Sequence, residues 1–167
     1  ILNIDADHLD YFKTVDNIVK SFHQFASQTS QLIVVNGDNE RALESVKGIE
    51  NAKIVTFGMR ETNDYYPTEM NEEDTACEDF TLTYHGEKLG RVNLIVPGEH
   101  NMLNAIAAAA AAHCLGVTPE AICSTLGKFT GVHRRFEVLG KFEGVTVADD
   151  FAHHPTELTA VLTSAMR

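Results

Sequence analysis

Within the first 57 residues, three apolar runs of strand length alternate with two stretches of helical periodicity, and this alternation leaves few folds open. The runs occupy residues 1–4, 31–35 and 53–57. Between the first two, Val15, Ile18, Val19, Phe22 and Phe25 recur at spacings of three and four, which predicts a helix over residues 14–28 capped by Thr14 or Asp16. Asn36-Gly37-Asp38 then turns the chain into a second helix, about 39–47. Strands separated by helices pair in parallel, because each helix carries the chain back along the sheet. The expected fold class is α/β: an open, mostly parallel sheet flanked by helices.

Residues 61–79 hold eight acidic side chains and no Lys or Arg, and read as a solvated surface excursion. Residues 80–84 and 91–96 read as an added β-hairpin around a loop, 85–90, longer than two residues. Past Pro97-Gly98 the period changes to that of a helix over 100–115, with Gly116 as its stop. Its run Ala107 to Ala112 lets a helix lie close against a sheet. Thr118-Pro119-Glu120 opens another helix to about Leu126. Strands follow at 136–139 and 145–148, then a helix over 155–166 with proline in its first turn, so residues 149–154 form a strand-to-helix loop. In open α/β sheets ligands bind at that edge.

Acidic residues outnumber basic ones 24 to 13, for a net charge of -11, which argues against nucleic-acid or anionic-membrane partners. No apolar run approaches the roughly 20 residues that span a bilayer. Cys77, Cys114 and Cys123 form no C-x-x-C pair, which fits a reducing cytoplasm, and the last two read as small core residues. The chain opens on Ile rather than Met and stops inside a helical pattern without a cap signal, as expected of a piece of a longer protein.

Four polar constellations stand out. Asn3-Ile4-Asp5-Ala6-Asp7-His8-Leu9-Asp10 places carboxylates and an imidazole at a strand end, suited to a hard cation such as Mg2+ or to a self-bonded turn. His100 and Asn104, one helical turn apart, can stack on and hydrogen-bond a planar ring, or merely cap the helix. Arg134 and Arg135 carry planar cations suited to phosphate oxygens, or to surface ion pairs. Asp149-Asp150-Phe151-Ala152-His153-His154-Pro155-Thr156-Glu157 lacks zinc-like spacing and any nucleophile elbow. One Asp of that loop suits a ribose diol, and the histidines with the following helix N-terminus suit anionic groups. No G-x-x-x-x-G-K-[ST] occurs to cradle a triphosphate.

Taken in order, N-I-D-A-D-H-L-D, G-E-H-N-M-L-N-A, G-V-H-R-R-F-E and D-D-F-A-H-H-P-T-E resemble the Mur ligase family, which adds amino acids or peptides to the nucleotide precursor of peptidoglycan. The resemblance implies that residues 1–135 are the later part of the central ATP-binding domain and 136–167 the first strands and helix of a Rossmann-like C-terminal domain. It implies a cytoplasmic, bacterial, ATP-dependent enzyme that activates a carboxylate as an acyl phosphate for attack by an amine, with the P-loop and the UDP-binding domain outside these residues. ATP and Mg2+ are the implied cofactors, UDP-N-acetylmuramate and L-alanine the implied substrates, and this stretch alone should be inactive. Carried over by motif, His8 would bind Mg2+, with Asn3 and Asp10 supporting its loop, and His100 and Asn104 would contact adenine. Arg134 or Arg135 would meet the ATP phosphates, Asp149 and Asp150 would serve the nucleotide with Asp150 on ribose, and His153 and His154 would face the substrates.

One departure bears on the substrate. Phe151 stands where the alanine-adding members usually have Tyr, and D-D-F-A-H-H-P-T is similar to the ligase that reattaches a recycled tripeptide. Residues 7–12, 132–136 and Glu157 look more like the alanine enzyme. Readings from other classes are a metal-dependent hydrolase built on His8, His153 and His154, and a non-catalytic nucleotide-binding module.

Overall fold

The structure, a computed structural model, describes residues 1–71 and 77–166. In chain order its elements are α1 (Leu9–Phe12), α2 (Val15–Ser27), β1 (Leu32–Asn36), α3 (Glu40–Ser45), β2 (Lys53–Phe57), β3 (Tyr65–Thr68), β4 (Cys77–Tyr84), β5 (Glu87–Pro97), α4 (Glu99–Cys114), α5 (Pro119–Leu126), β6 (Glu137–Phe142), β7 (Val145–Asp149) and α6 (Pro155–Ala165). Strands β1 to β5 form one sheet in sequence order. β1, β2 and β3 are parallel, while β4 runs against both β3 and β5. The expected hairpin thus continues the parallel sheet as an antiparallel edge.

Period-two alternation in β1 sorts its side chains between two cores. Ile33 and Val35 pack with Ile18, Val19, Ala26 and Ala42, so α2 and α3 cover one face. Leu32 and Val34 pack against the cluster of Val55, Phe57, Phe80, Leu82, Val92, Ile106 and Ala110, so α4 and α5 cover the other. Caps fall where the polar residues require: Thr14 accepts from the Asn17 amide at 3.3 Å and Asn39 from the Ala42 amide at 2.9 Å. Cys114 and Cys123 are partly buried at the edge of the larger cluster, as small apolar residues. No helix among the described residues is long and apolar enough to cross a membrane.

Three expectations need correction. Residues 1–4 are not a full strand: the Ile1 nitrogen donates to the Val34 carbonyl at 2.7 Å and Ile1 O accepts from the Asn36 amide at 3.0 Å, after which the segment leaves the edge of β1. The acidic excursion is not all surface, because β3 lies inside it with Tyr65 and Tyr66 buried. Glu61, Asp64 and Glu69 sit at the turns on either side of β3 while the aromatic rings enter the core; Glu78 and Asp79 lie in β4, and Glu72, Glu73 and Asp74 fall outside the described residues. The hairpin loop is shorter than expected: Tyr84 pairs with Glu87, and His85 and Gly86 between them have φ of 47° and 84°, the signature of a type I′ turn.

β6 and β7 form a separate antiparallel pair, joined through Glu143 and Gly144, both also at positive φ. This pair and α6 meet the rest of the chain through the residues of the site. Phe80 is fully enclosed in the larger core. Phe80→Ala should therefore cost about 3–5 kcal/mol, read as a lower urea midpoint with an unchanged slope.

Candidate functional site

A cavity of about 900 Å³ opens between the segment after Ile1, the end of β5, the first turns of α4, the end of α5, the 131–135 loop and the start of α6. Each of the four polar constellations reaches it: Asn3, Asp5, Asp7 and His8, then His100 and Asn104, then Arg135, then Asp150 and His154. Asp10, Arg134, Asp149 and His153 are outside its lining. Apolar side chains, among them Leu2, Ile4, Phe12, Leu94 and Phe129, complete the walls.

Helix α4 delivers the first pair. Gly98 precedes it at φ 96°, and a Cβ there would sit 2.4 Å from Ser164 Oγ and 2.7 Å from His100 Cε1. Only glycine lets α6 and the His100 ring approach together at that turn. His100, Asn104 and Ala108 follow one another along one helical face, and the small Ala105 and Ala108 keep the space above it open. His100 is half-buried, and burial lowers its pKa; the Asp150 carboxylate opposes this and the Arg135 guanidinium adds to it. A neutral imidazole, one nitrogen donating and one accepting, therefore faces the cavity at neutral pH.

Asp150 is held at both oxygens. Oδ2 accepts from the Phe136 amide and Oδ1 from the Ala152 amide, each at 2.7 Å. Each carboxylate oxygen keeps a second lone pair for a ligand hydroxyl. Arg135 lies between Arg134 and Phe136, whose φ values are 60° and 48°. The structure thus separates the adjacent arginines: Arg135 lines the cavity, whereas Arg134 lies 3.6 Å from Asp149 and over the Phe151 ring at 4.7 Å.

The two histidines do not share a site. His154 caps α6: its Nδ1 accepts from the Thr156 amide at 3.4 Å, and the Glu157 carboxylate accepts from the His154 amide at 3.4 Å. That tautomer leaves the proton on Nε2, which donates to the Ala6 carbonyl at 3.2 Å. His153 is mostly exposed, with Nδ1 3.0 Å from the Phe151 carbonyl and no place in the cavity wall. H-P-T-E was readable as a capping box, with Glu at the third helical position. Sequence reasoning also missed the strut beside it, where Thr156 Oγ donates to Asp5 Oδ2 at 2.9 Å. The hydrogen bond from the Ala6 amide, followed by that from Thr156, holds the Asp5 carboxyl below its ordinary pKa.

His8 sits at φ 52° ahead of α1 with its ring 70% exposed and 3.5 Å from Asp7. No group of three or more His, Cys, Asp or Glu among the described residues is placed to hold a metal ion. The described residues therefore do not by themselves build a cation site, and they give no support to the metal-dependent hydrolase.

Residues 1–112 match the Mur ligase middle domain. The chain belongs to the Mur ligase family. It is 44% identical to the UDP-N-acetylmuramate--L-alanine ligase of Caldanaerobacter subterraneus subsp. tengcongensis, over 99% of this chain and 36% of that protein. Among solved structures it is similar to MurF from Acinetobacter baumannii, with a TM-score of 0.85 at 28% identity over 99% of this chain and 36% of that one. It is also similar to the UDP-N-acetylmuramate-alanine ligase MurC of Thermotoga maritima, with a TM-score of 0.80 at 28% identity, 99% of this chain and 37% of that one. The chain spans about a third of the length of the curated relatives it matches. The α/β fold expected from its strand–helix alternation is that of these Mur ligases.

His100 supplies a test of the site's electrostatics. Its pKa should lie below the ordinary 6.5, measured from ring proton shifts. Since folding favours the neutral ring, the unfolded chain binds more protons between the two pKa values. The stability that the ring contributes is then complete above the unfolded pKa and declines as pH falls from there through the folded one, a decline that His100→Gln should remove.

Proposed function

We propose that this chain is the nucleotide-facing part of an ATP-dependent ligase that joins L-alanine to UDP-N-acetylmuramate through an acyl phosphate, in bacterial cytoplasmic peptidoglycan synthesis. The observation that carries the reading is the meeting of His100, Asn104, Arg135 and Asp150, from three separate stretches of sequence, around one cavity. Residues 1–135 belong on this reading to the central domain and 136–167 to the start of the C-terminal one. The names of the curated relatives favour alanine as the added group; Phe151 in the loop favours a tripeptide.

In this assignment the neutral His100 ring and the Asn104 amide take the adenine base, which has a π-face and both donors and acceptors at its edge. Asp150, braced by two amides, accepts from ribose hydroxyls through its remaining lone pairs. Arg135 meets the phosphates, and its permanent charge stabilises the negative charge that spreads over a transferring phosphoryl group. Asp149 supports the nucleotide only through the loop it shares with Asp150. His154 holds the loop against the Ala6 carbonyl, and His153, beyond the cavity wall, is left for the substrates. ATP supplies the activating phosphoryl group. His8 can offer Mg2+ a single ligand, with Asn3 and Asp10 near it in sequence, and none of the other roles depends on the ion.

In the full-length protein, ADP release should require both UDP-N-acetylmuramate and L-alanine. Dependence on a tripeptide in place of alanine would select the recycling ligase, and nucleotide binding without any turnover would select the non-catalytic module. Asp150→Ala should raise the KM for ATP by about tenfold or more, the loss of a charge-assisted hydrogen bond. His8→Ala should lower kcat more than it changes the KM for ATP. The 167-residue stretch alone, which has no G-x-x-x-x-G-K-[ST], should show no ligation.

A further inference from the structure

The segment that carries Arg135 is held in an unfavourable backbone shape. Arg134 and Phe136, with φ of 60° and 48°, both occupy the left-handed region that L-residues disfavour. Such a shape persists only where its surroundings fix it. Glu137 fixes one side, accepting from the Arg134 amide at 2.9 Å and contacting His133 Nδ1 at 2.8 Å. The β7–α6 loop fixes the other. The Phe136 amide donates to Asp150 at 2.7 Å, and the Phe151 amide donates to the Arg134 carbonyl at 2.9 Å. The Arg134 guanidinium reaches back across the same gap to Asp149, 3.6 Å away, and to the Phe151 ring, 4.7 Å from its centroid.

Arg134 thus grips the loop three times, by its carbonyl, its charge and its planar face, while the residue after it enters the cavity. We propose that Arg134 is a positioning residue: clamped between Asp149 and Phe151, it fixes Arg135 and Asp150 relative to each other across the cavity and does not itself touch the nucleotide. The clamp needs a planar cation on a ring, which lysine cannot reproduce and which either Phe or Tyr at 151 can serve. This inference rests on the proposed ligase reading for its kinetic test, and on the geometry alone for its structural one.

In the full-length protein, Arg134→Ala should lower the ligation kcat by about tenfold, the scale of one stacked cation and one exposed ion pair lost together, with a smaller change in the KM for ATP. Phe151→Leu should give the same phenotype, Phe151→Tyr should keep wild-type kinetics, and Arg134→Lys should recover only part of the loss. The double variant Arg134→Ala/Phe151→Leu should be no slower than either single one, because both remove one clamp. Independently of activity, the Phe136 and Phe151 amides should exchange with solvent faster in Arg134→Ala while the thermal midpoint hardly moves. Wild-type amide exchange in that variant would overturn the proposal, whatever the enzyme does. So would a rise in the KM for ATP as large as that of Arg135→Ala, since it would make Arg134 a ligand. Absence of ADP formation by the wild-type protein would instead count against the ligase reading and leave the exchange measurement to decide the clamp.

Discussion

The close seat of α4 on the sheet is the constraint from which the rest follows. Its buried positions are Met102, Ala105, Ile106, Ala107, Ala109 and Ala110, so the backbone of the helix can approach β1, β2 and β3 where larger side chains would hold it away. The C-terminal end of the helix is tied to the core by His113, whose Nδ1 meets the buried Tyr65 hydroxyl at 2.8 Å, and the Tyr65 ring lies 4.5 Å from that of Tyr84. The N-terminal end is thereby aimed, and with it His100 and Asn104. Gly98 completes the arrangement, because only a residue without Cβ lets α6 close over that turn.

Around the cavity the charges are arranged against one another rather than summed. Asp150 and Arg135 act on His100 with opposite sign, leaving burial to set its protonation. Asp150 is spent partly on backbone amides, His154 wholly on a cap and on the Ala6 carbonyl, and Thr156 on Asp5. Side chains that read as candidate ligands in the sequence therefore divide into those that face open space and those that hold the loops apart. The second group is as polar as the first, and composition cannot tell them apart.

Much of the fold was legible. The helical spacing of α2, its cap at Thr14 or Asp16, and the Gly116 stop act over a few residues, so local chemistry states them. What failed did so where a distant surface decided: Tyr65 and Tyr66 enter the core through a stretch whose acidity pointed outward, and the 85–86 turn is tighter than its loop-forming neighbours implied. In the site, the four constellations were readable and their convergence was not. The outward turn of Arg134 could not be read from one sequence; the use of His154 as a cap was missed although Glu157, three residues later, was its signal.

The sequence by itself determined the alternation of strands and helices, the small-faced α4, and the residue types competent to meet a nucleotide. These follow from side-chain periodicity and chemistry, which are properties of neighbours along the chain. Only the tertiary structure decided which of two adjacent arginines lines the cavity, and that Asp5 and Thr156, 151 positions apart, brace the same wall. Those outcomes depend on backbone angles at residues 134 and 136 and on contacts across the fold, which no local pattern encodes.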